Sequence, residues 1–112
     1  MKYVLMLCSD ATVAAHVFDE GIAAGCAGWT EEMQRRGVLT NATGLRPPDE
    51  AATVKVRDGD VLRTDGPFAE TKDQIGGFAM IECGDLEEAV ALASQHPWAR
   101  AGQIEVRPVW EP

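Results

Sequence analysis

The segment Lys2 to Cys8 (K-Y-V-L-M-L-C) is apolar on both alternating sets, Tyr3/Leu5/Leu7 and Val4/Met6/Cys8. This is the pattern of a strand covered on both faces. Phe78 to Cys83, entered through Ile75-Gly76-Gly77, repeats it on nearly both faces. Ile22, Cys26, Trp29 and Met33 recur at i, i+4, i+7 and i+11, which predicts a helix with one apolar stripe. Glu31/Arg35 and Glu32/Arg36 support it as i,i+4 pairs, and Gly37 supplies a stop. Its start is open, because Gly21, Gly25 and Gly28 each weaken a helix by up to ~1 kcal/mol; Asp10 to Glu20 reads as a separate helical turn or a loop.

Val38 to Leu45 is a short strand candidate, closed by Arg46-Pro47-Pro48-Asp49-Glu50. Asp58-Gly59 then sits between two alternating segments, the strongest short-range hairpin signal, and sets Arg57 against Asp60, Val56 against Val61 and Thr53 against Thr64. Asp85, three residues before Glu88, predicts a capped helix carrying Leu86, Ala89, Val90 and Ala93, ended by Pro97. Gln103 to Arg107 alternates strictly, so one face is polar and the other core. The order is β-α-β, an inserted hairpin, then β-α-β. An α+β sandwich of ferredoxin-like β-α-β-β-α-β type accommodates it, with the two doubly apolar strands central and the strand after the first helix and the final strand at the edges. Two helices cover one face of such a sheet only. The other face is expected to be covered by a second copy of the chain, giving a dimeric α/β-barrel.

Composition narrows the class. With 112 residues, 46% hydrophobic and 25% charged, the chain suits one domain spanning 1–112 and neither disorder nor a fibrous repeat. Eighteen acids against ten bases leave a net charge of -8. Nucleic acid and anionic membrane surfaces are therefore disfavoured as direct partners. The apolar run at the N-terminus is far short of the ~20 residues that span a bilayer, and a cytoplasmic location is expected. Cys8, Cys26 and Cys83 are odd in number and show no C-x-x-C spacing, which points to reduced thiols rather than disulfides or a zinc site. His16 has no partner at ligand spacing, no phosphate-binding glycine loop is present, and neither metal nor cofactor is expected.

The candidate chemistry concentrates in Thr64-Asp65-Gly66-Pro67-Phe68-Ala69-Glu70-Thr71-Lys72-Asp73-Gln74-Ile75-Gly76-Gly77-Phe78. Gly66 before Pro67 and an Asp65 that can bond nearby amides describe a stiff turn. Glu70, Thr71 and Lys72 place an acid, a hydroxyl and an ammonium together on that loop, as candidate substrate-binding groups. Arg107, on the polar stripe Gln103/Glu105/Arg107, joins them. His96, in the expected last helical turn before Pro97, is placed where its pKa can be tuned for proton transfer. Asp65 and His96 are the candidate catalytic residues, one or the other as proton acceptor.

The stretch D-G-P-F-A-E-T-K-x-Q-I-G-G-F, together with the ending A-G-Q-I-E-V-R-P-V, resembles the DGPF branch of the YCII-related (YciI-like) family, over about Met1 to Trp110. The resemblance implies a bacterial dimeric α/β-barrel of ferredoxin-like protomers, often of unassigned function. It also implies an acid/base His and Asp pair in relatives of the YciI type, whose approximate counterparts here are Cys26 and Arg35. Those relatives tend to carry Asp at the position of His96. Two functions follow as expectations. One is a cofactor-independent enzyme or ligand-binding protein for a small polar or aromatic metabolite, with Lys72 or Arg107 holding an anionic group. The alternative is a non-catalytic regulatory module docking onto an extracytoplasmic-function sigma factor, as such relatives are often encoded beside one.

Overall fold

A computed structural model of the chain describes residues 1–9, 20–66 and 74–111, with the side chains of 20–23 outside that description. Strand β1 (Lys2–Cys8) lies antiparallel between β5 (Ile75–Glu82) and β6 (Gln103–Pro108), and β2 (Leu39–Gly44) pairs with the far side of β5. The order β2-β5-β1-β6 puts the two doubly apolar strands in the middle of the sheet. That follows from their patterning, since an edge strand of that composition would leave apolar side chains and unpaired amides in water together.

Helix α1 (Glu20–Arg35) and helix α2 (Leu86–Ser94) supply the layer over one face. Tyr3 and Leu5 stand opposite Ile81 and Ala79 on that face, and they pack with Trp29 and Met33 of α1 and Ala89, Leu92 and Ala93 of α2. Cys26, Trp29 and Met33 thus share the expected stripe, while the side chain of Ile22 lies outside the described residues. The alternate set, Val4 and Met6 with Phe78 and Met80, is left half-buried on the face without helices. The described residues are of α+β class, with antiparallel sheets and three α-helices.

Each element begins and ends for local reasons. Gly37 takes a positive φ of 74° at the end of α1, a conformation a Cβ disfavours. Gly25, a weak helix former, earns its place by proximity: a Cβ there would meet Pro97 Cγ at 2.8 Å. Asp85 Oδ1 accepts the Glu88 amide at 2.8 Å, a cap contributing about 1 kcal/mol, and Glu88 Oε2 reaches back to the Gly84 amide at 2.8 Å.

Helix α2 stops sooner than the position of Pro97 predicts. It ends at Ser94 with Gln95 as its C-cap, and Pro97 instead leads a further short helix, α3 (Trp98–Ala101). Proline fits a helix start as well as a helix stop, because the first turn has no acceptor for its missing N–H.

The inserted segment forms a separate two-stranded sheet, β3 (Ala52–Arg57) with β4 (Asp60–Asp65), preceded by a 3-10 turn at Pro48–Glu50. Its register is the one the Asp58-Gly59 signal sets, with Arg57 facing Asp60, Val56 facing Val61 and Thr53 facing Thr64. Asp58 and Gly59 both have positive φ, 52° and 81°, as a two-residue turn of matching twist requires. At its base the Gly66 amide donates to Ala51 O at 2.6 Å and Thr53 Oγ1 donates to Gly66 O at 2.9 Å. Beyond that base, every residue from Val54 to Asp65 is exposed.

Candidate functional site

The two central strands and β2 meet at one end of the sheet. There the Ser9 amide donates to Gln74 O at 2.8 Å, the Gln74 amide donates to Ser9 Oγ at 3.0 Å, and the Leu45 amide donates to Gly76 O at 2.9 Å. Helix α1 passes over this end and leaves a cavity of about 270 Å³ between helix and sheet. Cys26, Trp29 and Thr30 of α1 and His96 give it its chemical character, and residues 42–44 of β2 with residues 76–79 of β5 line its sheet side.

His96 is 4% exposed and is the buried polar residue among those described. Its place is fixed twice. Nδ1 accepts the Trp98 amide at 3.0 Å, so the ring caps α3, and the Trp29 ring meets it edge-on with centroids 4.8 Å apart. Trp29 is itself held, donating from Nε1 to Leu92 O at 3.0 Å. Burial pushes the His96 pKa below the usual histidine value. The imidazole is therefore neutral at pH 7, and an accepting Nδ1 puts the proton on Nε2. A cation at a helix C-terminus, which the expected last-turn position suggested, is thus not the state the fold stabilises: the ring lies beyond α2 and under α1.

Burial of His96 makes stability depend on pH with a definite sign. The folded pKa is depressed, so below about pH 6.5 the unfolded chain takes up a proton that the folded one refuses. Stability is expected to fall as pH drops through 6.5 and on towards the folded pKa. Melting curves between pH 7.5 and pH 5 should show a smaller decline for His96→Asn than for the wild-type chain; parallel declines would contradict a buried neutral imidazole.

The remaining groups in the cavity are also uncharged. Burial raises the pKa of the Cys26 thiol, keeping it S–H at neutral pH, and Thr30 Oγ1 donates to Cys26 O at 2.9 Å. A second cavity, about 370 Å³, shares Leu7 and Gly76 with the first and is walled by Leu45, Pro47, Pro48 and Trp98. Among the described residues, neither cavity is lined by Asp, Glu, Lys or Arg. Nor is any group of three His, Cys, Asp or Glu among them placed to hold a metal ion.

The other sequence-singled residues lie elsewhere. Asp65 ends β4 on the exposed hairpin, its carboxylate 3.5 Å from the Arg63 guanidinium. Arg107 stands opposite Val4 on the face without helices and pairs with Glu105 at 2.6 Å. Asp65, His96 and Arg107 are thus on three different surfaces. Glu70, Thr71 and Lys72, with Pro67 and Phe68, lie outside the described residues, as do His16 and the segment 10–19. Conversely, Thr30 carries no distinguishing sequence signal. Trp29 and His96 carry a weak one, as large rings with polar atoms inside apolar surroundings that need a partner when buried.

No helix among the described residues is long and apolar enough to cross a membrane. An uncharacterized protein of Rhizobium meliloti (strain 1021) is 32% identical over 114 residues, a match covering 97% of this chain and 92% of that protein. The YCII-related domain matches residues 1–112, from the first central strand through the edge strand β6 and beyond. The chain belongs to the YCII-related family.

Proposed function

We propose that this chain, as a single domain of the DGPF branch, is a cofactor-independent cytoplasmic protein that binds a small uncharged molecule in the cavity at His96. Its working form on this reading is a dimer of ferredoxin-like protomers whose helix-free sheet faces oppose each other in an α/β-barrel. The observation that carries the ligand reading is the neutral His96 ring, anchored through Nδ1 and lining a cavity that also holds Thr30 and the Trp29 indole. Nε2–H is then the donor suited to a carbonyl or hydroxyl oxygen, and imidazole is the side chain best able to pass a proton to one.

The class of ligand follows from the walls. An ionised molecule would lose its hydration with no charged side chain among the described lining residues to replace it. An uncharged ligand with an aromatic or aliphatic body, such as a lactone, an enone or a phenol, loses little. The apolar space between Pro47, Pro48 and Trp98 extends the seat for that body.

The test is a thermal-shift screen of neutral carbonyl and phenolic compounds beside their carboxylate analogues. His96→Asn preserves an acceptor for the Trp98 amide and removes Nε2–H. Neutral compounds are expected to raise the melting temperature of the wild-type chain and of Asp65→Ala and Arg107→Ala, but not of His96→Asn. Binding that survives in His96→Asn and disappears in Arg107→Ala would move the site to the other face of the sheet.

A further inference from the structure

Val54, Val56 and Val61 share one face of the β3–β4 hairpin, since Val56 faces Val61 and Val54 stands two residues from Val56. They are 62%, 57% and 70% exposed. A two-stranded hairpin alone is marginal in water. This one turns its most apolar residues outward, beyond a base held at Ala51, Thr53 and Gly66.

Surface and shape point the same way. The chain exposes 7748 Å², whereas a folded monomer of its mass exposes about 6,000 Å². The hairpin, exposed from Val54 to Asp65, contributes to that excess. Its radius of gyration, 15.8 Å, likewise exceeds the about 13 Å of a compact chain this long. The same chain leaves a second apolar surface uncovered, the half-buried Val4, Met6, Phe78 and Met80 on the sheet face without helices.

We infer that the hairpin is a dimerisation arm, its valine face closing on a second copy of the chain at the rim of the opposed sheets. A two-fold arrangement satisfies both surfaces at once, because each chain gives one arm and receives one. The arm deepens the dimer reading above and rests on it. The net neutrality of the hairpin supports the assignment: Lys55, Arg57 and Arg63 balance Asp58, Asp60 and Asp65 in a chain of net charge -8. Two acidic bodies repel each other, and an arm of zero net charge is the segment that approaches a like-charged copy at least electrostatic cost.

Light scattering after size exclusion, with sedimentation to measure the dissociation constant, tests the arm on the full-length chain. The wild type is expected to be a dimer. Val56→Glu/Val61→Glu should weaken that dimer at least about a hundredfold, with the circular dichroism of the body retained. The milder Val56→Thr/Val61→Thr keeps the β-branching that holds the strands and should weaken it to a lesser degree, separating lost contact from a lost hairpin. Hydrogen exchange across residues 54–62 should also slow as the chain is concentrated through its dissociation constant. A wild-type dimer indifferent to both variants would overturn the arm while leaving the dimer. A monomeric wild type, or a hairpin protected only when some other protein is added, would overturn both.

Discussion

Trp29→Ala is expected to destabilise the chain by roughly 3–5 kcal/mol, the cost of emptying a large buried aromatic site, and to lower its melting temperature by roughly 15–20 °C. Trp29 is 6% exposed, fills the space between α1 and the sheet, and supplies the ring against which His96 rests. Its removal also leaves Leu92 O without the Nε1–H it accepts. Trp29→Phe separates these effects, because most of the ring volume stays and the donor goes; about 1–3 kcal/mol is expected for it. Denaturant titration of the two variants reads the difference. Equal losses would mean that the lost hydrogen bond to Leu92 O carries the effect and that volume at this site counts for little.

The second large effect is expected at Gly102. Trp98 Nε1 donates to Cys8 O at 2.9 Å, tying α3 to the end of β1. A Cβ on Gly102 would lie 2.5 Å from that oxygen and 2.9 Å from that nitrogen, wedged between donor and acceptor. Neither is the loose end of a flexible chain: one is backbone and the other a ring atom. Gly102→Ala should therefore cost about 3 kcal/mol, at the upper end of overpacking penalties, and shift the near-ultraviolet circular dichroism of Trp98. Gly28→Ala is the matched control. A Cβ there meets no neighbour within 4 Å, and the variant should be as stable as the wild type or more so. A Gly102→Ala chain as stable as that control would mean that α3 moves away freely.

The arrangement of strands was readable where the physics is local. Doubly apolar Tyr3–Cys8 and Phe78–Cys83 had to be central, and Asp58-Gly59 had to set the hairpin register, since only a turn with two positive φ angles matches the twist of its strands. Which set of β1 would meet the helices was not readable, because both sets are apolar and the choice depends on packing with α1 and α2. Helix α3 was hidden by the double meaning of Pro97. The site was legible only in fragments. His96 stood out as a residue near a helix end, yet its neutral, buried state comes from Trp29, contributed by another element 67 positions earlier. Arg63 with Asp65 and Arg107 with Glu105 are i,i+2 neighbours on strands, and each pair meets as alternation requires. Those partnerships engage Asp65 and Arg107, two of the charges that the sequence offered as ligand groups.

The placement of β1 bears on how the chain is made. Among the strands of its sheet it leaves the ribosome first, yet its partners are Glu82 to Ile75 on one side and Pro108 to Gln103 on the other. Until β5 has been translated, Tyr3, Leu5 and Val4 have no neighbouring strand to join. The hairpin, whose strands are separated by two residues, can close as soon as it emerges. Contacts this distant in sequence slow folding. This strongly apolar strand therefore stays unpaired until β5 is made, so a nascent chain stalled before β5 is the form most exposed to aggregation and most in need of a chaperone.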